Sequence, residues 1–450
     1  MSTDIPIERG TVAPDAEIEA PESEPQGVGS GIRLGILAIG VVALGVLSGV
    51  STLVIVFALL IMITLHELGH YLTARSAGMK VTEFFIGFGP RIWSMQHGET
   101  TYGIKAIPAG AYVKIIGMNN LDEVPHQDEH RTYRQQPFWR RLSVAVAGSA
   151  MHFVVALVLL FVLLVAIGQP GGRVIPTEEF VPEDWQIALV TEGSAAAEAG
   201  IERGDEVVSL DGVPIATFED LGAAVRPRAG DTVEVVILDD GVERAMVTTI
   251  GSRSPARADG SFEPDSGLFG VTQEPRVIRL GPIAGAGRSV QEFVNITTES
   301  TKALGRLFTP TGIGSFVGLV RDAGDTETAT TPAVEREPGE SAPEDFRLIS
   351  IYGATRLGAG MVEEGLAPAL FFLILINVFI GVFNLVPLLP LDGGHVAIAV
   401  YEKVRELFRR DGTRYFVDVA KLLPLTYVVI IALIGLGLSS LYLDIVDPIL

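Results

Sequence analysis

"LGILAIGVVALGVLSGVSTLVIVFALLIMITLHELGHYL", residues 34–72, decides what kind of molecule this is. From Leu34 to Leu65 no residue carries a charge. Thirty-two residues of helix would run about 48 Å, against about 30 Å of bilayer hydrocarbon. One long tilted helix with an exposed start could hold the excess. "SGVS", 48–51, offers a break instead and is the favoured reading, with one helix at about 33–48 and a second at about 52–74. The run closes on His66, Glu67 and His70. Ionisable groups at the end of a transmembrane segment are costly, and they point to function.

Outward from this stretch, further apolar runs recur. "WRRLSVAVAGSAMHFVVALVLLFVLLVAIGQP", 139–170, spans at 142–167, with Trp139, Arg140 and Arg141 read as an interface anchor. "LAPALFFLILINVFIGVFNLVPLLPL", 366–391, ends in two prolines that break its last turn. A last span covers about 422–443. The fold class expected is a polytopic α-helical membrane protein, with four core transmembrane helices and an extra N-terminal one.

Hydrophobic residues make up 48% of the 450, and the net charge is −21. Residues 171–365 hold 33 acids and 16 bases, whereas 66–141 hold nine bases and seven acids, and 396–421 six bases and four acids. An acidic chain is a poor nucleic-acid binder, so no such partner is expected. The positive-inside rule puts the basic segments 75–141 and 403–421 in the cytoplasm and 171–365 outside. The N-terminal tail is then cytoplasmic and the C-terminus outside. The chain has no cysteine, which excludes disulfides, thiolate ligands and thiol nucleophiles.

Five segments follow. Residues 1–32 form an acidic tail, read as disordered and without the basic start of a secretory signal. Residues 33–170 make the first part of the membrane core, and 366–450 the second. Residues 281–365 hold an amphipathic stretch, "VQEFVNITTESTKALGRLF", then a polar linker at 322–345 read as disordered. Between them, 171–280 carry a soluble module centred on 186–250. Gly193-Ser194-Ala195, Ala199-Gly200-Ile201, Gly204-Asp205-Glu206-Val207 and the "SLDGVPI" hairpin at 209–215 resemble a bacterial PDZ domain, an α+β fold. Such a domain implies an extended peptide or ectodomain bound at a sheet edge; a cap without a ligand is the alternative.

The chemistry lies in two places. On a helix, positions four apart share a face, so His66 and His70 can hold one metal ion while Glu67 takes a proton from water. A catalytic zinc needs a third protein ligand and an open position. "FNLVPLLPLDGGH", 383–395, offers Asp392, the sole acid between Glu364 and Glu402. Its alternative role is to cap the helix that follows. His395 could be a ligand, but suits a supporting or structural place better. "HQDEH", 126–130, repeats the i, i+4 histidine spacing in polar surroundings and reads as a solvated loop, and His97 is given no role.

HELGH near the end of one span, with N-x-x-P-x-x-P-L-D-G-G in a later one, resembles the site-2 proteases, in their RseP-like bacterial branch with a PDZ domain. "GFGP", 87–90, and "AIPAGAYVKIIGM", 106–118, add to the likeness. The resemblance implies an intramembrane zinc metalloprotease, with Zn2+ on His66, His70 and Asp392 and Glu67 as general base and acid. It implies that Asn384 and Asn377 line the substrate site. It further implies that 106–118 form a membrane-associated β hairpin whose edge, at Gly110 and Tyr112, meets an unwound substrate. Substrates would be single-span membrane proteins such as anti-sigma factors, cut within the bilayer near its cytoplasmic side after a first protease acts. One departure stands out. "AGSAMHF", 147–153, has Ser149 and His152 where the family has Pro and Asn, and a packing or hydrogen-bonding role is expected for His152 beside the site. A catalytically silent PDZ scaffold is the alternative, and a metal transporter fits less well.

Overall fold

The computed structural model describes residues 29–118, 122–170, 185–239, 241–253, 266–275, 277–323, 348–409 and 414–446. Of the segments expected to be disordered, 1–32 and 322–345, residues 1–28 and 324–345 lie outside the described residues, while 29–32 and Asp322 are helical, which corrects the expectation there. Two compact units form, one from Met1–Val155, Thr297–Glu363 and Ile376–Leu450, the other from Ala156–Ile296 and Glu364–Leu375.

The opening apolar stretch is two helices, α1 (Gly29–Ser48) and α2 (Val50–Ser76). Gly49 between them sits at φ +87°, a conformation that side chains with a Cβ rarely adopt. Arg33, at the start of α1, donates to the carbonyl of Arg91 at 2.9 Å. The chain has therefore returned, by Arg91, to the level at which α1 began.

Two long strands follow, β1 (Val81–His97) and β2 (Thr100–Ile115), paired with each other through many register shifts. Residues from Glu83 to Ile86 have partners on both flanks, at 111–114 and at 101–104, while 91–97 pair with 100–105. The pair thus works as four segments, with 107–115 on one outer edge and 91–97 on the other. This corrects the simple hairpin expected at 106–118: that stretch is a single bent-off edge segment. On β1, Gly87 at φ +89° and Gly89 at φ +80° supply the bend between 86 and 91, and a Cβ on Gly87 would lie 2.7 Å from the Ile107 carbonyl oxygen.

Next comes α3 (Phe138–Phe161), which continues as a π-helical turn at Val162–Ile167. Trp139 and Arg140 are exposed as an anchor should be, but Arg141 is buried. The second unit, which begins at Ala156 within α3, goes on with β3 (Gln169–Pro170), β4 (Trp185–Val190), α4 (Ala195–Ala199), β5 (Glu206–Leu210) and β6 (Val213–Pro214). It goes on through α5 (Phe218–Val225), β7 (Thr232–Asp239), β8 (Val242–Thr249), β9 (Gly251–Arg253), β10 (Ser266–Leu268), β11 (Val271–Pro275) and β12 (Val277–Ile278). The main sheet runs β6-β5-β7-β8, and β4 pairs with β11, β9 with β10, β3 with β12. Trp185, Ile187, Leu210, Val235, Ile237 and Ile250 fill its core. Local sequence sets both helices: Ser194 caps α4 by accepting from the Ala197 N–H, and Gly200 ends it in the left-handed region. A reciprocal Thr217/Asp220 capping box opens α5.

Beyond lie α6 (Pro282–Leu307) and α7 (Pro310–Asp322), bent by 77° where Thr309 caps and Pro310 starts a new helix. A helix not expected from sequence, α8 (Ile351–Glu364), is started by Ser350, whose N–H donates to the buried Asp444 at 2.8 Å. Then come α9 (Leu366–Asn384), α10 (Asp392–Arg409) and α11 (Leu423–Val446). Among the described residues five helices are long and apolar enough to cross a membrane, or six if the bent pair counts as one span. The chain is a polytopic helical membrane protein with β regions.

Candidate metal centre

Two helices of the first unit bring three side chains to one point. His66 and His70 come from α2, one turn apart, and Asp392 is the first residue of α10. The His66 and His70 Nε2 atoms are 3.2 Å apart. The Asp392 Oδ2 lies 3.3 Å from His66 Nε2 and 3.2 Å from His70 Nε2. Tetrahedral zinc with bonds of about 2.0–2.1 Å holds its ligand atoms about 3.3 Å apart. The triangle therefore has the size zinc requires, and the donor set (two imidazoles and a carboxylate, with no thiolate) suits it.

The helix α3 supplies the setting along one stripe. His70 Nδ1 lies 2.8 Å from the Val144 carbonyl, so that nitrogen donates and Nε2 keeps its lone pair for a metal. Gly148 leaves the room: a Cβ there would lie 2.5 Å from both ligating nitrogens, in the space an ion would fill. Arg141 makes a buried ion pair with Glu402 at 2.5 Å, which ties α10 to α3. The Glu402 carboxylate also accepts from the Val417 N–H at 2.8 Å. Sequence reasoning missed Gly148, Val144 and the Arg141–Glu402 tie. The i+3 and i+4 spacing of 141, 144 and 148 was the available signal.

The break before Asp392 is tight. A Cβ on Gly393 would lie 2.3 Å from the carbonyl oxygens of Leu385 and Val386, so two glycines are what lets α10 start against the end of α9.

The remaining predicted residues fall as follows. Glu67, on the same turn, is half-buried and comes near the Val113 backbone on the 107–115 edge segment. His152 is buried, its ring centroid 5.0 Å from that of His66, and its Nδ1 is 3.1 Å from Asn377 Oδ1. His152 and Asn377 thus stand as a hydrogen-bonded pair beside the triangle. His395 lies one turn beyond Asp392, edge-on to Tyr133 at 6.3 Å, beside a cavity of about 30 Å³ that Arg141 and Glu402 also line. Asn384 ends α9, half-buried. Gly110 sits against the Phe88 ring, and Tyr112 donates to Glu83 at 2.5 Å. Burial and that carboxylate push the Tyr112 hydroxyl up, so it stays a donor. His126 and His130 are exposed, while Asp128 and Glu129 between them pair with Lys80 and Arg134. Among the described residues, His66, His70 and Asp392 are the one histidine and acid group close enough to share a metal ion.

Comparison with known proteins agrees with this geometry. The model of peptidase family M50 matches residues 54–334 and 346–426. Zinc metalloprotease Rip1 of Mycobacterium tuberculosis is 34% identical over 412 residues, covering 87% of this chain and 96% of its own. Rip1 of Mycolicibacterium smegmatis is 34% identical over 89% of this chain and 98% of its own. A putative zinc metalloprotease of Mesorhizobium japonicum is 30% identical over 81% of this chain and 91% of its own.

Proposed function

The chain belongs to peptidase family M50, the site-2 protease family, and is a multi-pass intramembrane zinc metalloprotease; from that premise we propose how its own residues do the work and on which substrates. His66, His70 and Asp392 hold the ion. When bound, zinc polarises the scissile carbonyl and acidifies the attacking water. Glu67 takes the proton from that water and delivers it to the departing amine. The observation that carries this is the triangle of 3.2–3.3 Å with Glu67 on the same turn.

The substrate is a membrane protein, specifically the single span of one such as an anti-sigma factor. A transmembrane helix hides its peptide groups, so cleavage needs local unwinding and a replacement backbone partner. The 107–115 segment, with Gly110 and Tyr112, offers an open edge, and its Val113 backbone lies near Glu67. Asn384 and the His152–Asn377 pair line the pocket. The 171–280 module acts as a PDZ domain outside the membrane, screening out substrates whose ectodomain is untrimmed. The basic balance of 66–141 supports a site near the cytoplasmic face.

The test is Glu67→Gln in proteoliposomes with a single-span substrate. Zinc content should stay while cleavage falls by at least about three orders of magnitude, the scale on which losing a general base acts. Wild-type cleavage by this variant would remove Glu67 from the role, and a parent that binds zinc yet never cleaves would favour the silent scaffold. Cysteines introduced into this cysteine-free chain, one in each loop, read the orientation in the same vesicles.

A further inference from the structure

The bent sheet carries a cationic feature that the protease chemistry does not use. Arg91 and Lys105 are direct partners across β1 and β2. Both lie over one ring, that of Phe85: Arg91 Cζ is 5.4 Å and Lys105 Nζ 4.9 Å from its centroid. Lys105 also sits 4.7 Å from the Tyr112 centroid. Like charges set directly opposite each other in a sheet repel. Among the described residues neither has a carboxylate partner, since Glu83 is engaged with Tyr112 and lies 3.7 Å from Lys114. A third cation joins them, because Arg33 donates to the Arg91 carbonyl.

Arg33 also fixes the depth of this cluster. It is the last charged residue before the uncharged stretch from Leu34 to Leu65, so it marks the edge of the hydrocarbon. Arg91 is therefore at the same edge. Flanking it, Phe88, Met95 and Ile107 expose 45%, 47% and 54% of their surface. Apolar side chains beside cations that have no carboxylate partner among the described residues, at the membrane edge, match a lipid, with acyl chains against the first and a phosphate against the second.

We propose that Arg33, Arg91 and Lys105 form a binding site for the phosphate headgroup of an anionic phospholipid, seated on the aromatic face of Phe85 and Tyr112. The lipid would neutralise a repelling cation pair and brace the sheet whose opposite edge faces Glu67. Because Tyr112 belongs to the 107–115 segment, lipid occupancy would reach that segment directly through its ring.

The chain has three tryptophans, and Trp93 lies two residues from Arg91. With Trp139→Phe and Trp185→Phe, Trp93 reports alone. The full chain in nanodiscs is titrated with brominated phosphatidylglycerol and, separately, brominated phosphatidylcholine, and quenching of Trp93 is read. Phosphatidylglycerol should quench at a lower mole fraction, and the preference should fall about fivefold for each cation neutralised by Lys105→Gln or Arg91→Gln. Equal quenching by the two lipids in the parent overturns the proposal, as does a preference that survives both substitutions. Inorganic phosphate added at matched concentration should leave the preference intact; if it abolishes it, the site takes a free anion and the lipid assignment is wrong. Lys105→Gln removes no hydrogen bond among the described residues, and phosphatidylcholine quenching checks that Trp93 keeps its depth. A catalytically inactive chain would give the same readings.

Discussion

Two regions deliver the metal ligands, and they do it in opposite ways. The helix α2 presents His66 and His70 from within a continuous helix, where the i, i+4 spacing alone puts both imidazoles on one side. The α9–α10 region presents Asp392 only after the chain breaks at Leu385–Leu391 and restarts. Nothing local fixes where that restart points. Glycines that let it approach the end of α9 and the Arg141–Glu402 tie hold it instead. A ligand pair can be built by helix geometry; a third ligand from a distant segment must be built by packing.

The strongest way to break the contrast is at the one place that touches both. Gly148→Ala puts a methyl 2.5 Å from both ligating nitrogens. It should cut zinc affinity by about a hundredfold or more, the upper end of what perturbing a ligand's surroundings does. Metal analysis of the purified protein measures it, with the melting of metal-free protein as control, since alanine favours a helix more than glycine does. Retention of a full equivalent of zinc would show that the ion does not occupy this space.

The next effect separates the two regions. Glu402→Gln leaves Arg141 buried beside a neutral partner and should destabilise the membrane core by about 3–5 kcal/mol, whereas Arg141→Met with Glu402→Met should recover most of that loss. Denaturant unfolding in detergent checks both. Zinc affinity should fall about tenfold in Glu402→Gln through Asp392 while the two histidines stay in place. A variant as stable as the parent would mean that the tie contributes nothing.

The smallest effect sharpens the boundary of the site. His152→Asn should keep the zinc and change the cleavage rate by less than about tenfold, because Asn can still reach Asn377 and His152 is not part of the ligand triangle. Loss of the ion would make His152 a ligand.

What could be read from the sequence follows the same division. HELGH announces its geometry because helix periodicity is local, and Asp392 was found because it is the lone acid across a long apolar stretch. Arg141 was read as an interface anchor alongside Trp139 and Arg140. Only the arrival of Glu402, 261 residues later, turns it inward. The bent strands escaped for a related reason: period-two patterning reports which faces alternate, not that 83–86 would be flanked twice. The helix α8 was hidden because four glycines among its 14 residues and its flank dilute the helical signal, and a buried aspartate on α11 anchors its start.

On α3, positions 141, 144, 148 and 152 follow one another by three, four and four residues along a single stripe, each serving a different partner. Such a stripe works like the key of a lock, with all its teeth cut on one blade. A helix advances about 100° per residue, so a small rotation of α3 would withdraw the support of His70, the room for the ion, the tie to α10 and the His152–Asn377 pair at once. Changes along the stripe should then fail to add, each one having already cost what the next would remove. The site would be assembled or dismantled as a unit, and whatever turns α3 in the membrane would act as a switch for the whole of it.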